Sequence, residues 1–339
     1  MEIMGPTSCT IPISPTDLTQ TGNARRQAIS LAVAKQFDEL RQGQLSIIVT
    51  EAARNIAAHA GHGEIVLSPW THGDLAGIDV LALDQGKGIE NPSAALQDGY
   101  STAGTPGNGL GAMSRLAGTF QIYSTPGGGT AVFARVLRTA QDIESESQSY
   151  GMSSISVPIT GESVCGDAWS AEYRPERSLY IVADGLGHGP IAAEAAQEAV
   201  RVFHQVSHQT PEQMLREIHG ALSKTRGAAV SIAEILPEKA VLNYAGAGNI
   251  VAAICFNGKT RSMVSMNGTL GHSVGKFQQF SYPWEKNSAL IMHSDGLGTR
   301  WNVEQYPGLA SRHPSLLAGV LYRDFCRKRD DATILVSRI

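Results

Sequence analysis

The sequence predicts an α+β protein built from two domains. Three observations carry that expectation. Helical patterns and strand-like runs occur in blocks rather than in strict βα alternation, and short strands dominate the second half. The length of 339 residues suits two ordinary domains. A polar stretch at 139–153, poor in apolar residues, reads as a linker between 1–138 and 154–339. Hydrophobic residues make up 42% of the chain and the net charge is −4, a globular balance. The charge is spread evenly along the chain, so neither half argues for nucleic acid. No apolar run approaches the ~20 residues of a membrane helix, and the N-terminus lacks a signal-peptide pattern. The four cysteines (Cys9, Cys165, Cys255 and Cys326) lie far apart with no CxxC pair, which fits a reducing, cytoplasmic setting without a zinc site or disulfides.

Each element follows from a local pattern. Residues 1–20, rich in Pro, Ser and Thr, read as an extended lead-in. Helical patterns follow at 24–42 and 44–60, the second placing Leu45, Ile48, Ala52, Ile56 and His59 on one face. Strands are expected at 64–68 and 78–83. A glycine-rich stretch at 84–111 leads into a helix through Met113 and Leu116, and strands at 120–124 and 131–137 flank the turn TPGGGT. Beyond the linker, strands are expected at 154–159, 179–183, 229–235, 241–245, 250–256, 289–292 and 333–337. Helices are expected at 189–207, 211–224 and 314–326. The segment AGAGN (245–249) reads as a hairpin connection.

One window of the first half carries chemistry. Glu51 and Asn55 lie four apart on a helix and so share a face. DQGKGI (84–89) follows a strand. Asp84 can accept a hydrogen bond from an exocyclic amine, and Gly86 and Gly88 allow close approach to a flat ring. Asn55 suits a Mg²⁺ ion that keeps most of its waters, and Glu51 could serve as a general base. GNGLG (107–111) opens a helix whose free amides, at Gly107, Gly109 and Gly111, suit phosphate. Each piece alone is an ordinary solvated face or turn; the ordered set is specific. No GxxxxGK[ST] occurs, and no helix follows the glycines at 84–88 directly, so neither a phosphate loop nor a Rossmann motif is present.

With GGT (128–130), these segments resemble the N, G1 and G2 boxes and closing Thr of the GHKL ATPases. Within that fold they resemble the anti-sigma-factor serine kinases of the RsbT type, over about 15–138. The resemblance implies an α/β two-layer sandwich that binds ATP with Mg²⁺. It further implies Asn55 on the metal, Asp84 on adenine, Gly86 and Gly88 beneath the ring, and Gly107, Gly109 and Gly111 around the phosphates. Thr130 would lie near adenine through water, and Glu51 would be the base that activates a protein hydroxyl.

The second half holds acids in a different pattern: GDAW (166–169), ADGLGHG (183–189), HSDGL (293–297) and RDDAT (329–333). Asp184 and Asp295 follow apolar strands, whose ends hold carboxylates rigidly. Separated Asp residues without paired His or Cys favour Mg²⁺ or Mn²⁺ over zinc, and two such ions can share and activate a water. An Asp-Gly pair alone is usually a turn. His188 reads first as a turn or cap residue, and Trp169 and Trp301 as packing residues.

The ordered set resembles the PPM-type serine/threonine phosphatases of the SpoIIE branch, especially the small RsbX-like members, over about 154–339. It implies an α-β-β-α sandwich in which Asp167, Asp184, Asp295 and Asp330 are metal ligands and Gly185 adds its carbonyl. Asp331 remains the alternative to Asp330. Larger members carry an Arg shortly before the first Asp; the segment 161–166 has none here, which leaves Arg226 as a guess for the phosphate clamp.

Together the resemblances imply a bifunctional regulator that writes and erases one regulatory phosphate. Its implied partner is a STAS-domain antagonist or a stressosome-like scaffold in a sigma-factor pathway, and a homodimer is compatible with the kinase fold. The alternative is a phosphatase whose first domain is an ATP sensor or a non-catalytic anti-sigma-like binding module.

Overall fold

The computed structural model describes residues 2–4, 7–17, 19–96, 109–139, 142 and 151–339. Its contacts form two compact units. One comprises Ser8–Ser149 with Ser315–Arg323; the other comprises Met1–Thr7, Tyr150–Pro314 and Asp324–Ile339. The lead-in is not simply extended coil. Glu2–Met4 (β1) is an edge strand of the second unit, and Cys9–Ile13 (β2) is an edge strand of the first.

In the first unit two helices follow, Thr19–Ala34 (α1) and Glu39–Asn55 (α2). The pattern at 24–42 suggested one helix. The chain instead breaks after Ala34, with Gln36 at φ 61°, and Asp38 caps α2 by accepting from the Arg41 N–H at 2.7 Å. After Asn55 the helix widens into a π-helical turn, Ile56–Ala60. That turn shifts the helical phase, so Ile56 is buried but His59, expected on the same face, is exposed.

Strands Gly63–His72 (β3) and Leu75–Asp84 (β4), helix Gly109–Leu116 (α3), and strands Thr119–Ser124 (β5) and Thr130–Leu137 (β6) complete the unit. The antiparallel sheet runs β2-β3-β4-β6-β5. Alternate residues such as Ile65, Leu67, Ile78 and Val80 face Ala24, Ala28, Ala32, Leu45 and Ile48 of the helices. This is the expected two-layer sandwich.

Its far face is also buried, since every residue of β6 is buried whichever face it is on. There Arg135 donates to both oxygens of Asp79, at 2.6 and 2.8 Å, beneath the Trp70 ring. Ser315–Arg323 belongs to this unit, and Gly319 packs on Leu81 and Leu83 of that face.

The second unit contains strands Gly151–Val157 (β7), Asp167–Arg174 (β8) and Arg177–Gly185 (β9), then helices Pro190–Gln205 (α4) and Pro211–Ala221 (α5). Strands Ala228–Leu236 (β10), Val241–Ala247 (β11), Val251–Phe256 (β12) and Lys259–Ser262 (β13) follow. Then come Gly268–Thr269 (β14), Ser273–Val274 (β15), Phe280–Pro283 (β16) and Ala289–His293 (β17). Helix Pro314–Phe325 (α6) and strand Ala332–Arg338 (β18) end the chain. Of the predicted linker, 140–141 and 143–150 lie outside the described residues, and β7 begins at Gly151.

Two antiparallel sheets face each other, ordered β1-β8-β9-β10-β11-β16 and β13-β12-β17-β18-β7. Trp169, Tyr180, Val182 and Tyr244 of the first pack on Ile254, Leu290, Met292 and Leu335 of the second. Helices α4 and α5 cover the outer face of the first sheet through Ala195, Ala199, Phe203, Met214 and Leu215. The α+β class holds throughout, and Trp169 and Trp301 are buried packing residues, as expected.

The segment 245–249 is not a hairpin. It leaves the six-stranded sheet at Ala247 and enters the five-stranded one at Val251, with Gly248 at φ 104° making the crossing. No disulfide joins the cysteines, and no helix among the described residues is long and apolar enough to cross a membrane.

Candidate functional site

Two sites form, one in each unit. In the first unit, α2 ends with Glu51 and Asn55 one turn apart, and α3 starts against them. A Cβ placed on Gly109 would stand 3.1 Å from Glu51 Oε2 and 3.4 Å from Asn55 Oδ1. The start of α3, including the buried Gly111, therefore meets the two polar side chains that the sequence singled out. Glu51 also pairs with the exposed Arg54 at 2.9 Å, a contact that solvent weakens. Gly107 lies outside the described residues.

Asp84 ends β4 and sits opposite Thr130, the first residue of β6. Its Oδ1 accepts from the N–H of Gly86 at 2.8 Å and of Thr130 at 3.2 Å. Burial raises the Asp84 pKa, and these amides oppose that shift. Gly86 and Gly88 are required by space. A Cβ on Gly86 would be 2.7 Å from Ala60 Cβ, and one on Gly88, at φ 72°, only 2.0 Å from the Thr125 carbonyl.

The Thr130 hydroxyl shares a hydrogen bond with Ser124 Oγ, which accepts from the Ile89 N–H and donates to the Gly129 carbonyl. Ser124 was missed from sequence, although its register opposite Thr130 across the predicted hairpin could have exposed it. The site offers a hydrogen-bonded carboxylate, side-chain-free backbone around it and a helix start beside polar groups. These features fit a purine nucleotide with its phosphates.

In the second unit the acids gather at the ends of facing sheets. Asp167 and Asp184 are direct partners across β8 and β9. Asp295 follows β17, and Asp330 and Asp331 precede β18, its neighbour. Asp167 accepts from Ser294 Oγ at 2.6 Å, which ties the two sheet ends together. Ser294 is anchored in turn: its Oγ accepts from the Thr333 N–H, and its carbonyl lies 2.8 Å from His293 Nδ1. Trp301 Nε1 donates to His293 Nε2, and burial lowers the His293 pKa to about 4, so the ring stays neutral between them.

Burial raises Asp167 to about 7. Burial and then the charges of Asp167, Asp295, Asp330 and Asp331 push Asp184 up to about 9. The carboxylates therefore share one electrostatic field.

Asp330 and Asp331 differ. Asp331 is buried, and its oxygens accept from the N–H of Ile159 at 2.7 Å and of Gly166 at 2.8 Å. Asp330 is half-buried and its pKa is raised by burial, with Asp295 adding. Gly185 donates its N–H to the Gly166 carbonyl, and a Cβ on it would lie 2.0 Å from the Ala192 carbonyl.

Asn249, which the sequence placed in a hairpin, donates to Asp295 Oδ2 at 2.7 Å. His188 pairs with Glu162 at 2.9 Å. Arg226 lies by the turn after Gly185, its Nη1 3.1 Å from where a Cβ on Gly187 would stand.

As the side chains stand, no three His, Cys, Asp or Glu residues among the described residues close around a single ion position. Several of their oxygens are engaged by Ser294, Asn249 and backbone amides. The donors are all hard oxygens, which fits Mg²⁺ or Mn²⁺ completing their shells with water.

The fold and sites define an ATPase-like domain joined to a PPM-type phosphatase domain. Comparison with known proteins gives the families. A profile described as histidine kinase-like ATPase domain matches residues 14–135, and one described as Stage II sporulation protein E matches 174–339, beginning just after Asp167.

The chain is 33% identical over 111 residues to the serine/threonine-protein kinase RsbT of Bacillus subtilis (strain 168), covering 33% of this chain and 84% of RsbT. It is 28% identical over 138 residues to the phosphoserine phosphatase RsbX of the same organism, covering 40% of this chain and 69% of RsbX. A crystal structure of RsbX in complex with magnesium aligns at 23% identity, over 55% of this chain and 93% of that one, with a TM-score of 0.48. The chain belongs to the RsbT-like family through its N-terminal domain and carries a C-terminal SpoIIE phosphatase domain.

Proposed function

We infer that this chain is a metal-dependent protein serine/threonine phosphatase carrying an ATP-binding, kinase-like module, and that both act on one STAS-domain partner of a switching pathway. The observation that carries the reading is the convergence of Asp167, Asp184, Asp295 and Asp330 at the ends of two facing sheets, with Asp184 pushed up by burial and then by those neighbouring carboxylates. These four carboxylates and the Gly185 carbonyl would hold a pair of Mg²⁺ or Mn²⁺ ions. Bound ions of this kind supply an activated water for attack at phosphorus. Asp330 is favoured over Asp331 because the Asp331 oxygens already serve two backbone amides.

In the first domain (1–138), Asp84 would read the adenine amine and Asn55 would hold Mg²⁺. The glycines at 86, 88, 107, 109 and 111 would admit ring and phosphates, Thr130 would support the adenine side, and Glu51 would take the proton from the acceptor hydroxyl. The segment 139–153 would link it to the phosphatase domain (154–339).

Two assays test the reading. Hydrolysis of an aryl phosphate should require Mn²⁺ and fall by about 100-fold or more in Asp184→Asn. The variant should remain folded, because Asn matches the carboxyl in shape and burial with the neighbouring carboxylates already pushes Asp184 toward its neutral form. Equal hydrolysis by both proteins refutes the metal site. Transfer from labelled ATP to a STAS-domain partner should be lost in Glu51→Ala and Asn55→Ala, with ATP binding kept only in the former. Nucleotide binding without any transfer by the unmodified chain would leave the sensor alternative.

A further inference from the structure

The turn that follows Asp184 starts from Gly185 and contains two glycines at positive φ, Gly187 at 94° and Gly189 at 73°. Each has a charged side chain against it. A Cβ on Gly189 would stand 3.1 Å from the Glu162 carboxylate, and one on Gly187 would stand 3.1 Å from Arg226 Nη1. The two charged groups differ in what they already do. Glu162 is engaged by His188 Nδ1 at 2.9 Å. The Arg226 guanidinium is exposed and makes no hydrogen bond or ion pair among the described residues. Other arginines of the same sheet are paired: Arg174 with Glu172, and Arg177 with Glu234.

Sheet register brings Arg226 to this turn. Asp167 pairs with Asp184 across β8 and β9, Asp184 pairs with Ala229 across β9 and β10, and Gly185 pairs with Ala228. Because β9 and β10 run antiparallel, the residues just before β10 lie beside those just after β9. The backbone around Arg226 is held on both sides. The Leu186 N–H donates to the Gly227 carbonyl at 3.0 Å, and the Gly227 N–H donates to Thr225 Oγ1 at 3.0 Å. Thr225 is tied in turn to the Leu222 carbonyl, by its N–H at 2.9 Å and its hydroxyl at 2.8 Å. His272 Nε2 donates to the Arg226 carbonyl at 2.7 Å. Gly227, at φ 78°, is closely fitted: a Cβ there would lie 2.5 Å from the Leu270 carbonyl and 2.7 Å from His272 Cδ2. A fixed backbone thus presents an unengaged cation beside the Asp184 turn.

The charge of the site gives that cation a use. The five acids 167, 184, 295, 330 and 331 gather there, so a pair of divalent ions leaves no surplus positive charge for an incoming phosphate dianion. Glu162 adds a further acid in the segment 161–166, which holds no Arg. A guanidinium meets phosphate oxygens with two parallel N–H groups and stays charged at any working pH. We propose that Arg226 is the phosphate-recognition residue of the phosphatase site, and that His272 is a positioning residue that fixes the Arg226 backbone. The proposal rests on the phosphatase reading above, and all its groups belong to the second unit. The contact is present in the bound ester and persists through attack, so its loss acts on KM more than on kcat.

The test uses the full chain with Mn²⁺ and an aryl phosphate, and inorganic phosphate as the competitor. Arg226→Ala should fold normally, because the exposed side chain makes no hydrogen bond or ion pair among the described residues. It should raise KM and the inhibition constant of inorganic phosphate together by about 10-fold, the scale of one charge-assisted hydrogen bond, with kcat changed by less than about 3-fold. Its Mn²⁺ affinity, measured by calorimetry, should not show the ~10-fold loss that a disturbed metal shell brings. Arg226→Lys, which keeps the charge but not the planar fork, should recover part of both losses. His272→Ala should move both constants in the same direction by about 3-fold, the scale of one neutral hydrogen bond.

A KM and a phosphate inhibition constant in Arg226→Ala equal to those of the unmodified chain overturn the proposal. A weakened Mn²⁺ affinity in that variant overturns it as well, since Arg226 would then support the metal turn rather than meet the phosphate. So does the absence of any recovery in Arg226→Lys, which would mark a packing role. Unchanged constants in His272→Ala remove the positioning role of His272. If the unmodified chain shows no Mn²⁺-dependent hydrolysis, the phosphatase reading itself fails and takes this proposal with it.

Discussion

The site around Asp84 and the carboxylate site around Asp184 are built on opposite plans. Around Asp84 the work falls to the backbone: Gly86 and Gly88 sit where any side chain would strike Ala60 or Thr125. Around Asp184 the work falls to side chains, held at strand ends by register and by Ser294 and Asn249. A backbone site needs its glycines near one another in sequence, because a single loop and a helix start form it. A side-chain site can draw on strands remote in sequence, because sheet pairing brings their ends together. The first tolerates little added volume; the second tolerates little loss of opposing donors.

The largest effect expected from testing that contrast lies in the scaffold of the first site. Asp79→Ala removes the buried carboxylate that accepts from both Nε and Nη2 of Arg135 on the sheet that carries Asp84, at a cost of about 3–5 kcal/mol. Denaturant unfolding should show that loss, and a change below ~1 kcal/mol would mean that the pair adds nothing to the sheet.

Smaller and more discriminating is the pair Asp331→Asn and Asp330→Asn. The first should cost about 1–3 kcal/mol, because an amide side chain cannot accept at both positions from the Ile159 and Gly166 N–H groups. The second should leave the melting temperature of the metal-free protein nearly unchanged and raise the Mn²⁺ needed for half-maximal hydrolysis by about 10-fold, the order of one lost carboxylate contact. Reversed outcomes would exchange the roles of the two acids.

The smallest effect is expected at Asn249. Removing its hydrogen bond to the partly exposed Asp295 should cost about 1 kcal/mol of positioning, read as a several-fold rise in the Mn²⁺ requirement. No rise would show that sheet register alone orients Asp295.

Several parts of this organisation were legible in the residues. The strands around the first site are legible because short, nearly continuous apolar runs mark them, and the glycine clusters are read directly from the chain. The break between α1 and α2 was not foreseen, since the helical pattern runs through it and only the Asp38 cap marks it. The phase shift that exposes His59 comes from a π-helical turn, which leaves no periodic trace. The segment 245–249 has the composition of a hairpin turn, and nothing local reveals that its two strands join different sheets. Ser294 stands inside HSDGL, yet its role as donor to Asp167 depends on a partner distant in the chain.

By itself, then, the order of residues determined the α+β class, the glycine-lined loop beside Asp84 and the identity of the acids at strand ends. These depend on chemistry within a few residues of each position. Only the tertiary structure decided which adjacent acid has both oxygens engaged by backbone amides, and what holds Asp295 and Asp167. Those outcomes depend on sheet pairing and burial, which are properties of the whole chain.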